Sequence, residues 1–415
     1  MAEPKTKQQR YEAWLKKHFE FRYNIILNLI EYAEKKAPER GFVPMTDYAL
    51  NSMVRFLDKE YNEAPSPEKV FSILKSDFTP KYHPIKAYFL KWYENHKHHK
   101  GTSYIDALAA TVTVENPETF RLSLTRWLVA SVAQVFVDEI KFNDPKANDC
   151  QNQTCIVLTG SQGAFKTTWL NMLCPTELAE YLYTGKINLN LDNKDIFIML
   201  GEKFIINLDD QLRNLIKKDN ETMKTLITQG KNSIRRPHAK FAENIQRLGN
   251  FVASINGEDF LSEDENRRYL PFAVQSIDIK EAQLIDMDGV WLDAFILFKS
   301  GFQYWWTKAE LAEYFGEQME NFRYSSPELE MLHTHFSVPS PNDTDIELMC
   351  TTDVINYLSA FTKERLGPKK IGEELKKMGA AKKSDPDRGN LKCYALQIKK
   401  LKIKTSTLNE WKSKI

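Results

Sequence analysis

Residues 160–169 read GSQGAFKTTW. The apolar run Cys155-Ile156-Val157-Leu158 precedes them, and Leu170-Asn171-Met172-Leu173 follows. Strand, glycine turn, Lys-Thr and helix come in the order from which a phosphate-binding loop is built. Gly160 and Gly163 supply the tight turn. Backbone N–H groups along Ser161, Gln162, Gly163, Ala164, Phe165 and on to Thr168 then face a phosphate. Lys166 reaches the β- and γ-phosphates of ATP, and Thr167 offers its hydroxyl to Mg²⁺. The motif places glycine before the lysine because a Cβ crowds that turn. Here Phe165 stands there. Its backbone must stay in an allowed region and its ring must point away from phosphate. By itself the loop leaves three readings open: a working nucleotide site, a decayed one, or a chance match.

The chain beyond the loop bears on that choice. Phe204-Ile205-Ile206-Asn207-Leu208 reads as a strand ending in Asp209-Asp210, 43 residues after Lys166. A metal-bound triphosphate needs one acid at the tip of a neighbouring strand to hold Mg²⁺, here Asp209. It needs a second to polarise water, here Asp210. Phe251-Val252-Ala253-Ser254-Ile255 ends in Asn256, whose amide can orient water near a γ-phosphate. Arg267 and Arg268 precede the next apolar run, 269–274. An arginine offered to a γ-phosphate stabilises transition-state charge, often from a neighbouring subunit. Each signal has a plain structural reading: a strand-end turn, or a surface arginine in an ion pair. Four in this order make coincidence improbable.

The four apolar runs are short and bounded by polar residues, so 154–335 reads as an α/β domain on a mostly parallel sheet. Residues 8–140 read as several short helices. One stripe, Tyr23, Ile26, Leu27 and Ile30, lies early. Another runs from Phe120 through Trp127 to Phe136, opened by Asn116-Pro117-Glu118. NDPKANDCQNQ, 143–153, reads as a linker, and 337–343 as a second. Beyond it, 346–361 and 369–378 read as helices, Gly389-Asn390 as a turn and 392–396 as a strand. The expected domains are a helical region over 1–145, a P-loop ATPase core over 146–336 and a small winged-helix-like domain over 345–415.

Composition agrees with a globular chain. Of 415 residues, 42% are hydrophobic and 27% charged. No apolar run approaches the roughly 20 residues that span a bilayer, and MAEPKTKQQR carries no secretory signal. The five cysteines form no C-x-x-C pair, which argues against a zinc site and for a reduced, cytoplasmic compartment. The net charge of +1 conceals a basic end: residues 361–415 hold 16 Lys+Arg and 6 Asp+Glu, leaving 41 against 50 elsewhere. That end is either a nucleic-acid surface or a solvated tail. His96-Lys97-His98-His99-Lys100 reads as a solvated basic loop rather than a metal site, because adjacent histidines on a helix cannot face one ion. Trp169 and the cluster Phe302, Tyr304, Trp305 and Trp306 read as core packing.

GSQGAFKTTWLNMLCP, KFIINLDDQ, Met223-Lys224-Thr225-Leu226-Ile227-Thr228, Ser233-Ile234-Arg235-Arg236-Pro237-His238 and FVASINGEDFLSEDENRRYLPF together resemble the virulence-associated protein E family. That family is similar to superfamily-3 helicases and to the primase-helicases of viruses and mobile elements. The resemblance covers roughly 120–275, and its most specific piece runs from Asn256 to Arg268. It implies an AAA+-type ring ATPase, typically a hexamer, moving along single-stranded or forked DNA during replication of a phage or mobile element. Lys166 and Thr167 match the Walker A pair and Asp209 and Asp210 the Walker B acids. Asn256 matches the sensor, and one of Arg267 and Arg268 the arginine finger. Arg235, Arg236 and Lys240 fall where such helicases present a channel-facing loop that grips phosphates. Two departures stand out. Phe165 replaces glycine, and 1–145 is too short for the primase domain of longer relatives, so priming is expected from a separate protein. Competing readings are a nucleotide-switched DNA-binding adaptor with little hydrolysis, and a phosphotransferase. The last accounts for neither the Asn-Arg-Arg segment nor the basic end.

Overall fold

The computed structural model describes residues 6–63, 65–96, 103–188, 194–237, 239–257, 260–261, 267–316, 319, 322, 327–339, 345–362 and 366–399. His98, His99, His238 and Asn266 lie outside the described residues, as do part of the 337–343 stretch and the basic residues from 400 onward. The chain divides into two compact units, Met1–Phe322 and Arg323–Ile415. The boundary expected at 145/146 therefore falls inside one unit.

The first unit opens with α1 (Lys7–His18), β1 (Phe19–Asn24), β2 (Leu29–Glu34), β3 (Val43–Pro44), α2 (Asp47–Tyr61), α3 (Pro67–Leu74), β4 (Lys81–Tyr82) and α4 (Pro84–Asn95). Its strands form a sheet in the order β3-β2-β1-β4. This corrects the expectation that the N-terminal region is all helix. Tyr23, Ile26, Leu27 and Ile30 span a hairpin, in which Tyr23 lies opposite Ile30. Asn24 Oδ1 accepts from the N–H groups of Ile26 and Leu27, both at 3.1 Å, and so folds the turn. The chain reversal reproduces a helix-like spacing of apolar residues. Trp14 and Leu15 on α1 pack with Met53, Leu57, Val70 and Leu74 in a core of their own.

Next come α5 (Ser103–Ala110), β5 (Val112–Val114), α6 (Pro117–Val135) and α7 (Val137–Asn143). Asn116 caps α6 by accepting from Thr119 N, and Pro117 fills the first turn, as the sequence predicts. The stretch 143–153 is not a linker. Asn152 is buried, and its Nδ2 donates to Ser131 Oγ and Asn250 Oδ1, both at 3.0 Å. Gln134 Oε1 accepts from Gln151 N at 2.7 Å. Polar composition misled here because these residues satisfy one another inside the protein.

The central sheet is built from β6 (Cys155–Gly160), β7 (Leu182–Tyr183), β8 (Ile205–Asn207), β11 (Asn250–Asn256) and β12 (Tyr269–Ile277), with β5 at one edge. Its order is β5-β12-β6-β11-β8-β7. Only β5 runs antiparallel to its neighbour. The four apolar runs read as strands are thus four adjacent parallel strands. Side chains alternate between two cores: Ile156, Leu158, Val252, Leu270 and Phe272 enter one, and Cys155, Val157, Phe251, Ala253 and Tyr269 the other. The first core is covered by α6, α8 (Lys166–Met172) and α12 (Met287–Lys299). The second is covered by α9 (Lys194–Glu202) and α10 (Leu212–Thr228). Trp127 on α6 is fully buried and donates from Nε1 to the Phe251 carbonyl at 3.0 Å. Truncating such a residue to alanine costs about 3–5 kcal/mol. Between β8 and β11 a separate hairpin projects, β9 (Lys231–Ile234) paired with β10 (Glu243–Gln246). α11 (Ile279–Leu284) and α13 (Lys308–Phe315) complete the unit.

The second unit runs α14 (Pro327–His335), β13 (Phe336–Ser337), β14 (Glu347–Met349), α15 (Thr351–Leu358), α16 (Pro368–Lys377), β15 (Lys382–Asp385) and β16 (Leu391–Ile398). β16 pairs antiparallel with β13, β14 and β15. Gly389 and Asn390 take positive φ in the β15–β16 connection, and Leu358, Ile371, Leu375 and Leu396 form the core. Among the described residues no single helix is long and apolar enough to cross a membrane.

Candidate functional site

Parallel strands end on one side of a sheet, and three of them place the candidate residues there. β6 leads into 161–165 and α8, β8 into Asp209-Asp210, and β11 ends at Asn256. β11 lies between the other two. Gly160 has φ +130°, and a Cβ there would sit 2.8 Å from the Val274 carbonyl oxygen, so no other residue fits. Phe165 adopts φ 58°, ψ 14°, the left-handed conformation that glycine would supply. The backbone is allowed, at a cost of about 1–2 kcal/mol. The residue is 52% exposed.

Lys166 is only 5% exposed. Its Nζ donates to the carbonyls of Gly160 at 3.0 Å and Ser161 at 2.7 Å, and to Asn256 Oδ1 at 3.4 Å. Burial pushes its pKa below the ordinary lysine value, against the pull of Asp210 and Asp209. Thr167 Oγ1 donates to Asp209 Oδ1 at 2.6 Å and lies 2.9 Å from Ser254 Oγ. Ser254 Oγ donates to the same carboxylate oxygen at 2.8 Å. Asp210 has φ 51° and accepts from Asn256 twice, from its backbone N at 3.2 Å and from Nδ2 at 2.7 Å. Asn256 thereby fixes the direction of the second carboxylate.

These groups line an open cavity of about 320 Å³ together with Gln162, Gly163, Ala164, Phe165 and Thr168. Its donors are hard oxygens, a carboxylate flanked by two hydroxyls, and among the described residues no Cys or His lines it. Such a set fits Mg²⁺, which takes one or two carboxylates and completes its shell with water and phosphate. Among the described residues no group of three or more His, Cys, Asp or Glu could hold a metal.

The structure does not bring Arg267 and Arg268 to this cavity. They precede β12, and the Arg268 carbonyl accepts from Cys155 N at 2.7 Å, at the start of β6. The six residues of β6 separate that point from Gly160, and their five steps span roughly 16 Å at about 3.3 Å each. The two arginines line a second, smaller cavity with Trp305 and Trp306. Phe302, Tyr304 and Trp306 pack on the core as expected, but Trp305 is 54% exposed. Trp169 is core: it is buried, and its Nε1 donates to Thr111 Oγ1 at 2.9 Å.

Arg235, Arg236 and Lys240 fall on the loop of the β9–β10 hairpin. Arg235 and Lys240 are exposed. Arg236 is not available to a strand, because Glu202 and Glu243 both pair with it.

A model of the virulence-associated protein E-like domain matches residues 94–324, more than half of the chain. This chain belongs to the virulence-associated protein E-like family. No curated protein matches it. Among solved structures, the apo NrS-1 C-terminal region (305–718) is similar at 14% identity and TM-score 0.47, over 94% of this chain and 98% of that one. The A form of the same region aligns over the same shares at TM-score 0.44.

In this virulence-associated protein E-like chain, sequence reasoning missed Ser254 and Phe241. Ser254 is two residues before Asn256 and so lies on the same side of the strand, the one signal that could have found it. Phe241, 81% exposed beside Lys240, is visible in sequence only once the hairpin is known.

Proposed function

We propose that the chain is an ATP-driven DNA helicase or translocase with an AAA+-type P-loop core, acting in replication of a phage or mobile element. One observation carries the reading. Lys166, Thr167, Asp209, Asp210 and Asn256 lie up to 90 residues apart, yet hydrogen-bond to one another around one cavity. A decayed site has no reason to keep that network.

In this reading the N–H groups of 161–168 and Lys166 hold the triphosphate of ATP. Thr167 and Asp209 hold Mg²⁺, which when bound neutralises charge on the β- and γ-phosphates. Asp210, aimed by Asn256, orients and polarises the attacking water. Arg267 or Arg268 serves the cavity of a neighbouring copy, since its own is a strand-length away. That supports a head-to-tail ring, typically hexameric. Arg235, Lys240 and Phe241 on the hairpin suit a single strand, with cations for phosphate and a ring for a base. In the second unit, α15 and α16 followed by the β15–β16 hairpin bearing Lys382, Lys383 and Lys392 suit a winged-helix-like DNA contact.

A second reading, a nucleotide-switched adaptor with little turnover, is favoured by one observation: Lys166 Nζ is anchored on two loop carbonyls. ATP hydrolysis with and without single-stranded DNA, for wild type and Lys166→Ala, separates them. DNA-stimulated turnover lost in the variant is expected. Wild type that binds ATP and DNA without turnover moves the adaptor ahead.

A further inference from the structure

The smaller cavity has an apolar wall of Ala130, Trp305, Trp306 and Leu311, and its lining is completed by Arg267, Arg268, Tyr304 and the polar stretch 151–154. Its volume is about 150 Å³, a size that accepts one benzene ring. The Trp306 ring and the Trp305 backbone are held in place. The Arg126 guanidinium lies 4.2 Å from the Trp306 ring centroid, and its Nη1 donates to the Trp305 carbonyl at 3.2 Å. Arg126 is itself paired with Glu310 at 2.5 Å. A socket fixed before binding loses little entropy on being filled.

An aromatic side chain of matching size stands at the other end of the sheet. Phe165 is half-exposed and keeps a left-handed backbone that glycine would adopt without strain. Asp209 and Asp210 line the cavity at its side, while Arg267 and Arg268 line the socket. The charges are complementary. The first strand of the core, β6, runs between the two places, so one chain cannot join them.

We propose that the socket beside Arg267 and Arg268 receives Phe165 of a second copy of this chain. The proposal deepens the ring reading above and rests on it. Docking is head-to-tail, so each copy gives one ring and receives one. It also brings the two arginines beside the neighbour's loop. Phe165 then acts as the pin that sets this register, and its strained backbone is retained because the ring is needed outside its own subunit.

The test uses the full chain with a non-hydrolysable ATP analogue and single-stranded DNA. Phe165→Cys and Trp305→Cys are prepared separately and together and treated with a short bismaleimide, with wild type giving the background from native cysteines. An equimolar mixture of the single variants should crosslink to dimers, the double variant to a ladder, and each single variant alone to neither. Phe165→Ala and Trp305→Ala should each weaken assembly roughly tenfold or more, the range of a buried aromatic anchor, with no further loss in the double variant. Light scattering on the same samples separates the failures. Wild type that assembles while the mixture stays uncrosslinked and both alanine variants assemble normally overturns the docking and leaves the ring intact. A strictly monomeric wild type overturns the ring reading and the docking with it.

Discussion

The Thr167 hydroxyl donates to Asp209 Oδ1 at 2.6 Å across 42 residues of sequence. The bond joins the first turn of α8 to the end of β8, two strands away in the sheet. It preassembles both oxygens that the proposed function assigns to Mg²⁺. Asp209→Asn keeps the shape and removes the charge. Its Mg²⁺-dependent ATP turnover should fall roughly a hundredfold or more, the scale of removing one preorganised electrostatic group. Turnover within a few-fold of wild type in a magnesium titration would remove Asp209 from the site.

Phe165→Gly and Phe165→Ala form an informative pair. Alanine keeps the left-handed strain, and glycine relieves it while loosening the unfolded chain. The glycine variant should be more stable than the alanine variant by about 1 kcal/mol, read from urea midpoints at equal slope. Its ATP affinity should stay within about tenfold of wild type, roughly 1.4 kcal/mol. Complete loss of binding would mean that the aromatic side chain itself makes the nucleotide site.

The legibility of this site in sequence follows from what a motif records. Cys155–Leu158, Phe204–Leu208, Phe251–Ile255 and the run from Tyr269 are buried on both faces, so their strands appear as apolar runs. The polar residues that end the first three line the candidate site. The β1–β2 hairpin was hidden because Asn24 folds a turn whose apolar spacing imitates a helix. The 143–153 segment was hidden because buried Asn152 and Gln134 satisfy polar groups that composition assigns to solvent. Arg236 looked like a strand contact because sequence does not show Glu202 and Glu243 beside it.

Subunit sharing can be read by mixing two inactive variants. Lys166→Ala loses its own cavity and keeps its arginines, and Arg267→Ala with Arg268→Ala does the reverse. Neither should hydrolyse ATP alone. A mixture should recover a measurable fraction of wild-type turnover, because some junctions pair an intact cavity with intact arginines. No recovery in mixtures that co-assemble by light scattering would place the arginines outside the reaction.

The hairpin gives separable charge and stacking effects. Lys240→Ala should weaken single-stranded DNA binding and lower the salt slope by about 0.7, as for one phosphate contact. Phe241→Ala should cost about 1–3 kcal/mol of affinity and leave the slope unchanged, as for a lost base stack. Arg236→Ala should instead lower folding stability, because it leaves Glu202 and Glu243 without their shared partner. A slope change in Phe241→Ala, with affinity kept, would reverse these assignments.

His83 gives the fold a pH dependence whose sign follows from its position. Its Nδ1 accepts from Lys86 N at 3.1 Å and caps α4, which requires the neutral ring. Burial, with the nearby Lys86 charge, pushes its pKa from 6.5 down to about 4. The folded state therefore binds this proton less readily than the unfolded chain. The contribution to stability is fully present above pH 6.5 and is lost as the pH falls from 6.5 towards 4, by roughly 3 kcal/mol in all. His83→Asn retains a capping acceptor and removes the titration. Urea unfolding between pH 7 and pH 4.5 should give a shallower loss for the variant than for wild type. Identical slopes would show that the His83 proton is not linked to folding.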